Sequence, residues 1–320
     1  MIPRVALVAL VASIAVIAPT GGAQKAPLAV AVRNGGWRGL WRPDSLPPAR
    51  WATADAALLA SLQWKVGRSG ISYAEMPIRG DGEAWRTRAI IARIDPQQVR
   101  FALDTGFRHL KDANGAVMRS AAWRSQDVSA RAILAVNAGQ FYATILGTLP
   151  WGWVVLNGRE WRAPGVGPLS SAVVVDSEGR VQLLPAAALA LPTRARGVSW
   201  AFQSFPTLLD GDGDVPDALR TTGRIDLTHR DARLAIGVAR DGSVLLVMTR
   251  FDLFGPTLGA VPFGLTTPEM AALMGALGCA RAVMLDGGLS AQLQLRDADG
   301  TMQRWSGLRR VPMGLLVAPR

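Results

Sequence analysis

Apolar residues gather along this chain in short runs broken by turn-forming pairs. Runs over 71–76, 87–94, 99–103, 133–136, 152–156, 172–175, 181–184, 234–239, 244–249, 282–285 and 293–295 have strand length. Asp95-Pro96 marks a turn, and Asn157-Gly158, Glu178-Gly179, Asp241-Gly242 and Asp299-Gly300 offer the positive φ that tight hairpins need. Asp241-Gly242, apolar on both sides, is the clearest hairpin. One stretch has the helical period instead. Met270, Leu273, Met274 and Leu277 fall at i, i+3, i+4 and i+7. Thr267 before Pro268 is one start signal, Thr266 with Glu269 three residues on is another, and Gly278 is the stop. A weaker helix is predicted over 55–62. Many strands and few helices predict an α+β fold, mostly antiparallel or mixed β-sheet with a few packed helices. No internal repeat is visible.

The first residues follow another pattern. Met1 to Arg4 is short and positive, 5–17 is apolar except for Ser13, and Gly21 and Ala23 are small. Together these read as a signal peptide cleaved after Ala23. The apolar run is about 13 residues, short of the roughly 20 of a spanning helix, so the expected product is exported, periplasmic or secreted, without a stable transmembrane segment. Residues 24–66 look irregular, with Pro43, Pro47 and Pro48 among Trp37, Trp41, Trp51 and Trp64. They read as a segment that packs onto the main domain through its Trp residues, with a sugar-stacking surface as the alternative. The expected division is thus 1–23, 24–66 and 67–320.

Composition narrows the function. Cys279 is the only cysteine, which rules out an intramolecular disulfide, and it reads as a packing residue. The 49% hydrophobic content allows a large core. The net charge of +11 comes almost entirely from Arg, which is scattered rather than clustered. That argues against nucleic acid as a partner and is compatible with anionic substrates. No zinc-type His or Cys pair and no Gly-x-Ser-x-Gly elbow is present. Asp210, Asp212 and Asp214 have calcium-loop spacing, but Thr221 stands where the closing Glu belongs. No metal and no cofactor is expected. His109 has no motif around it, whereas His229 lies close to Arg230 and Arg233.

Two segments share one grammar. The buried-type run 132–136 ends in Asn137-Ala138-Gly139-Gln140-Phe141, and 282–285 ends in Asp286-Gly287-Gly288-Leu289-Ser290. Each delivers a polar side chain where a strand meets a Gly turn, a common place for a ligand. Read singly, Asn137 is equally an Asx-turn residue and Asp286 a loop carboxylate bonded to backbone N–H groups.

In order along the chain these segments join Pro150-x-Gly152 with Asn157-Gly158, Gln203-Ser204-x-Pro206-x-Leu208 with Gly211, and Arg233-x-Ala235-Ile236-Gly237 with Asp241-Gly242. The set resembles the phosphodiester glycosidase family, whose animal member removes N-acetylglucosamine from a phosphodiester on lysosomal glycans. The likeness covers about 71–319 and leaves the Trp-rich segment outside. Leu289 stands where the family usually has a third Gly, Phe205 where Gly often precedes the Pro, and Leu234 where Thr often follows the Arg.

The resemblance implies an exported hydrolase that cleaves a sugar-1-phosphodiester, with a sugar-phosphate or envelope glycan as substrate. Cleavage at the anomeric carbon needs a carboxylate, donors for the phosphate, and polar groups that orient the sugar. Asp286 is the expected key carboxylate, Arg233 the phosphate clamp, and Asn137 a substrate hydrogen-bonder beside it. Gly139, Ser204, Gly287, Gly288, Ser290 and His229 are the candidate substrate-binding positions. Asn137 and Asp286 should then share one cleft with Arg233 on its rim. The alternative is a catalytically silent envelope protein that binds glycan or protein on the same fold.

Overall fold

The structure, a computed structural model, describes residues 24–106, 123–144, 147–167, 171–221, 225–252 and 263–320; the leader 1–23 and His109 lie outside them. The strand Val244–Phe251 explains why so many runs are apolar at every position. All its residues are buried. Side chains alternate between faces along a strand, so Val244, Leu246 and Met248 enter one core while Leu245 and Val247 enter another. A strand without polar alternation is covered on both sides.

That strand is central in a nine-stranded sheet. Its order is Thr207–Leu209, Cys279–Met284, Leu234–Ala239, Val244–Phe251, Thr87–Ile94, Ile71–Arg79, Leu28–Ala31 and Trp37–Trp41, with Lys65–Val66 also paired to Ile71–Arg79. Every pairing is antiparallel. The first core also takes side chains from two five-stranded antiparallel sheets. One runs Arg159–Arg162, Val154–Leu156, Val198–Ser204, Ser171–Asp176, Val181–Leu184. The other runs Met302–Trp305, Leu293–Arg296, Leu134–Asn137, Met313–Pro319, Val99–Thr105. The described residues are therefore mostly antiparallel β, with three short α-helices: α1 (Ala56–Ser61), α2 (Ala186–Leu189) and α3 (Thr267–Ala276).

The second core holds Leu58 of α1 and Met270, Leu273 and Met274 of α3. All ten residues of α3 are buried, so the helix is covered on every side rather than along one stripe. Trp51 lies over Gly275 so closely that a Cβ there would overlap the indole. Thr266 is the N-cap: its hydroxyl accepts from the Glu269 N–H at 3.3 Å, and Glu269 Oε2 accepts from the Thr266 N–H at 2.8 Å.

Residues 24–66 are less irregular than their sequence looks. Leu28–Ala31 and Trp37–Trp41 extend the large sheet beyond Ile71–Arg79. Trp41, Trp51 and Trp64 pack against the α3 core, whereas Trp37 is exposed with the Arg79 guanidinium 4.3 Å above its ring. Cys279 is fully buried, and burial pushes its thiol up to about 12. No described helix is long and apolar enough to cross a membrane.

Candidate active site

The two strand ends singled out in the sequence meet. Asn137 closes Leu134–Asn137, and Asp286 follows Cys279–Met284 by two residues. Although 149 positions separate them, Asn137 Nδ2 donates to the Asp286 carbonyl at 2.7 Å. The Asp286 N–H donates to the Ala138 carbonyl at 3.1 Å. Asn137 Oδ1 accepts from the Gln292 N–H at 2.9 Å. Asn137 is fully buried with both ends of its amide engaged. The structure gives it a positioning task, holding the loop that carries Asp286, in place of the expected contact with substrate.

Asp286 opens onto a cavity of about 580 Å³ that Asp231, Arg233, His229, Ser290 and Arg309 also line. Burial pushes the Asp286 carboxyl up from 3.8 to about 6. The Ser290 hydroxyl and the Arg309 charge work against that rise, and the negative charge of Asp231 adds to it. Its Oδ2 is buried without a hydrogen-bond partner among the described residues. An unpartnered buried carboxylate oxygen is costly and characteristic of a functional position.

Asp231 is the second carboxyl of the cavity. Burial pushes it up too, opposed by the Arg233 charge, the Ala232 N–H and His229. His229 Nε2 lies 3.9 Å from its Oδ2. Gly288 makes this approach possible: its φ is +57°, and a Cβ there would stand 2.8 Å from Asp231 Oδ2. Glycine at 288 thus admits a carboxylate from the neighbouring segment to the Asp286 loop. The Gly288 N–H does not face an anion, because it donates to the Ala232 carbonyl at 2.7 Å.

The cations divide the work differently from the sequence expectation. Arg233 lines the cavity, but its Nε donates to the Leu265 carbonyl at 2.7 Å and its Nη2 to the His229 carbonyl. Burial lowers its pKa, with Asp231 opposing. Arg309 is exposed, and its guanidinium has no hydrogen bond or ion pair among the described residues. It is the better-placed anion ligand. Its backbone N–H is pinned to the Leu289 carbonyl at 3.0 Å.

The remaining candidates split. Gly287, Ser290 and His229 line the cavity. Gly139 does not: a Cβ there would strike the Gln203 carbonyl at 2.5 Å, so it is a packing glycine. Ser204 is fully buried, its hydroxyl bonded to the Met284 carbonyl and to Gln140 Oε1, so it supports the wall from behind.

A sequence profile described as phosphodiester glycosidase matches residues 130–318, more than half of the chain. The chain belongs to the phosphodiester glycosidase family. Two solved structures share the fold of this family member. The catalytic domain of zebrafish N-acetylglucosamine-1-phosphodiester alpha-N-acetylglucosaminidase, auto-inhibited by its pro-peptide, is 14% identical with a TM-score of 0.55, covering 87% of this chain and 96% of that one. A hypothetical protein from Synechocystis is 17% identical with a TM-score of 0.51, covering 78% of this chain; the chain spans 62% of that protein's length. At these identities the likeness is one of fold. No curated protein matches the sequence. The match holds every cavity residue named above, while Ile71–Arg79 and Thr87–Ile94 lie before it.

Sequence reasoning missed Asp231, Arg309 and Gln140 in this family member. Asp231 carried a local signal, since His229-Arg230-Asp231-Ala232-Arg233 leads into a buried strand as a dense polar cluster. Arg309 carried none, because only the pairing of backbone around Leu289 brings it to the cavity.

Proposed function

We propose that the protein hydrolyses a sugar-1-phosphodiester, with Asp286 as the key carboxylate. The observation that carries this reading is the pairing of two partly buried carboxyls, Asp286 and Asp231, in one cavity with the Arg309 guanidinium, which has no hydrogen bond or ion pair among the described residues. Glycoside cleavage uses two carboxyl groups about the scissile bond. In this reading ionised Asp286 acts at the anomeric carbon, and Asp231 handles the proton of the attacking water. The departing phosphate monoester carries its own negative charge and needs little protonation. Arg309 holds its oxygens, with the remaining face of Arg233 beside it. Ser290 orients Asp286, and His229 borders Asp231 at the entrance.

The test is hydrolysis of a panel of sugar-1-phosphodiesters by the purified protein and by Asp286→Asn. The variant should lose roughly three or more orders of magnitude in kcat/KM. Equal rates would remove Asp286 from the mechanism. Tight glycan binding with no turnover of any diester would favour the silent-binding alternative.

A further inference from the structure

Apolar side chains at the mouth of the cavity define one more property of its ligand. Phe205 and Leu289 are 38% and 36% exposed, and both line the cavity together with Ile225. They come from three separate segments. Single exposed apolar residues are ordinary, but two exposed ones and the half-buried Ile225 converging on one charged cavity form a contact surface. Two of them are held in place. Gln140 grips the Phe205 backbone at both ends, accepting from its N–H at 3.1 Å and donating to its carbonyl at 2.6 Å. Trp151 flanks the Phe205 ring at 4.7 Å between centroids. The Leu289 carbonyl accepts from the Leu308 and Arg309 N–H groups at 2.8 and 3.0 Å. An exposed ring on an immobilised backbone loses little entropy when a ligand covers it.

The Leu289 backbone is joined through its own carbonyl to that of Arg309, whose guanidinium has no hydrogen bond or ion pair among the described residues. Arg309, the apolar side chains and the Asp286–Asp231 pair line one cavity, so an anionic group on Arg309 shares that cavity with both an apolar wall and the two carboxyls. We propose that the phosphodiester bound here carries a hydrocarbon alcohol arm, seated on Phe205, Leu289 and Ile225, in place of a second sugar. This rests on the reading of the cavity as a phosphodiester site.

The experiment uses the full chain and two kinds of probe. Calorimetric binding of octyl phosphate and glycerol phosphate isolates recognition from turnover. Octyl phosphate should bind about 10- to 100-fold more tightly, the range that apolar contacts of this size provide. Phe205→Ser and Leu289→Ser should each shrink that ratio severalfold. Equal affinities in the unaltered protein overturn the inference, whatever the protein cleaves. In parallel, two esters of one sugar-1-phosphate, with octyl and glycosyl arms, are compared as substrates. Turnover of both with equal kcat/KM overturns the inference and leaves the glycosidase reading intact. Octyl preference in binding without turnover of either ester supports the apolar seat and overturns the glycosidase reading.

Discussion

At the scale of single residues, Asp286 couples activity to stability. Its carboxyl titrates near 6 in the folded protein against an ordinary 3.8. If the ionised form acts, kcat/KM should fall about tenfold per pH unit below 6 and level off above it. A pH–rate profile flat from 4.5 to 7 would contradict this role. Because the folded pKa is raised, the protonated group's contribution to stability is complete below about 3.8. It is lost as pH rises through about 6. Asp286→Asn should therefore stabilise the protein at pH 8, by up to about 3 kcal/mol, and have no such effect near pH 3.5. Denaturant titrations at both pH values measure the difference. Arg309→Ala should raise KM for a phosphodiester by about 10- to 100-fold, as expected for loss of a charge-assisted contact. An unchanged KM would return the clamp to Arg233. Asp286 was visible in the sequence because it ends an apolar run before two glycines. Arg309 was not, and Asp231 showed only as one member of a polar cluster, since their place in the site comes from contacts with other segments.

At the scale of elements, α3 supports the segment that carries Asp231. Arg230 Nη1 donates to Glu269 Oε2 at 2.7 Å and Nη2 to Oε1 at 3.0 Å. Glu269 is fully buried and is also the third residue of the α3 capping box. One carboxylate thus starts the helix and holds residues 229–233 against it. Glu269→Ala would leave the Arg230 charge largely buried and unpaired, at a cost of about 3–5 kcal/mol. Equilibrium unfolding measures that loss, and a change below 1 kcal/mol would show that water replaces the pair. Most elements were legible. The predicted runs over 87–94, 181–184 and 234–239 coincide with strands, and α3 begins within a residue or two of its signals. Leu28–Ala31 and Trp37–Trp41 were hidden among prolines and tryptophans. Val198–Ser204 and Met313–Pro319 were also missed, although each is interior to a five-stranded sheet. Gly197 and Pro206 flank the first and Pro312 precedes the second, but the stability of both comes from strand partners elsewhere in the chain.

At the scale of the whole molecule, we propose export with cleavage after Ala23. The positive start, the short apolar run and the small residues before Ala23 motivate it. N-terminal sequencing of protein from an envelope or medium fraction should find Gln24 first. Intact Met1 on soluble cytoplasmic protein would exclude it, and intact Met1 on membrane-bound protein would show an anchor. By itself, the sequence determined the β-rich composition of the fold, the start of α3, the family, and the two strand ends at Asn137 and Asp286. Those are local patterns, set by side-chain period, backbone preference and turn chemistry over a few residues. Only the tertiary structure decided that Asn137 holds the loop while Asp286 faces the cavity, and that Asp231 and Arg309 complete it. Burial, hydrogen-bond partner and shifted pKa depend on what other segments bring alongside, from Arg309, 20 positions beyond Leu289, to Asp231, 55 positions before Asp286.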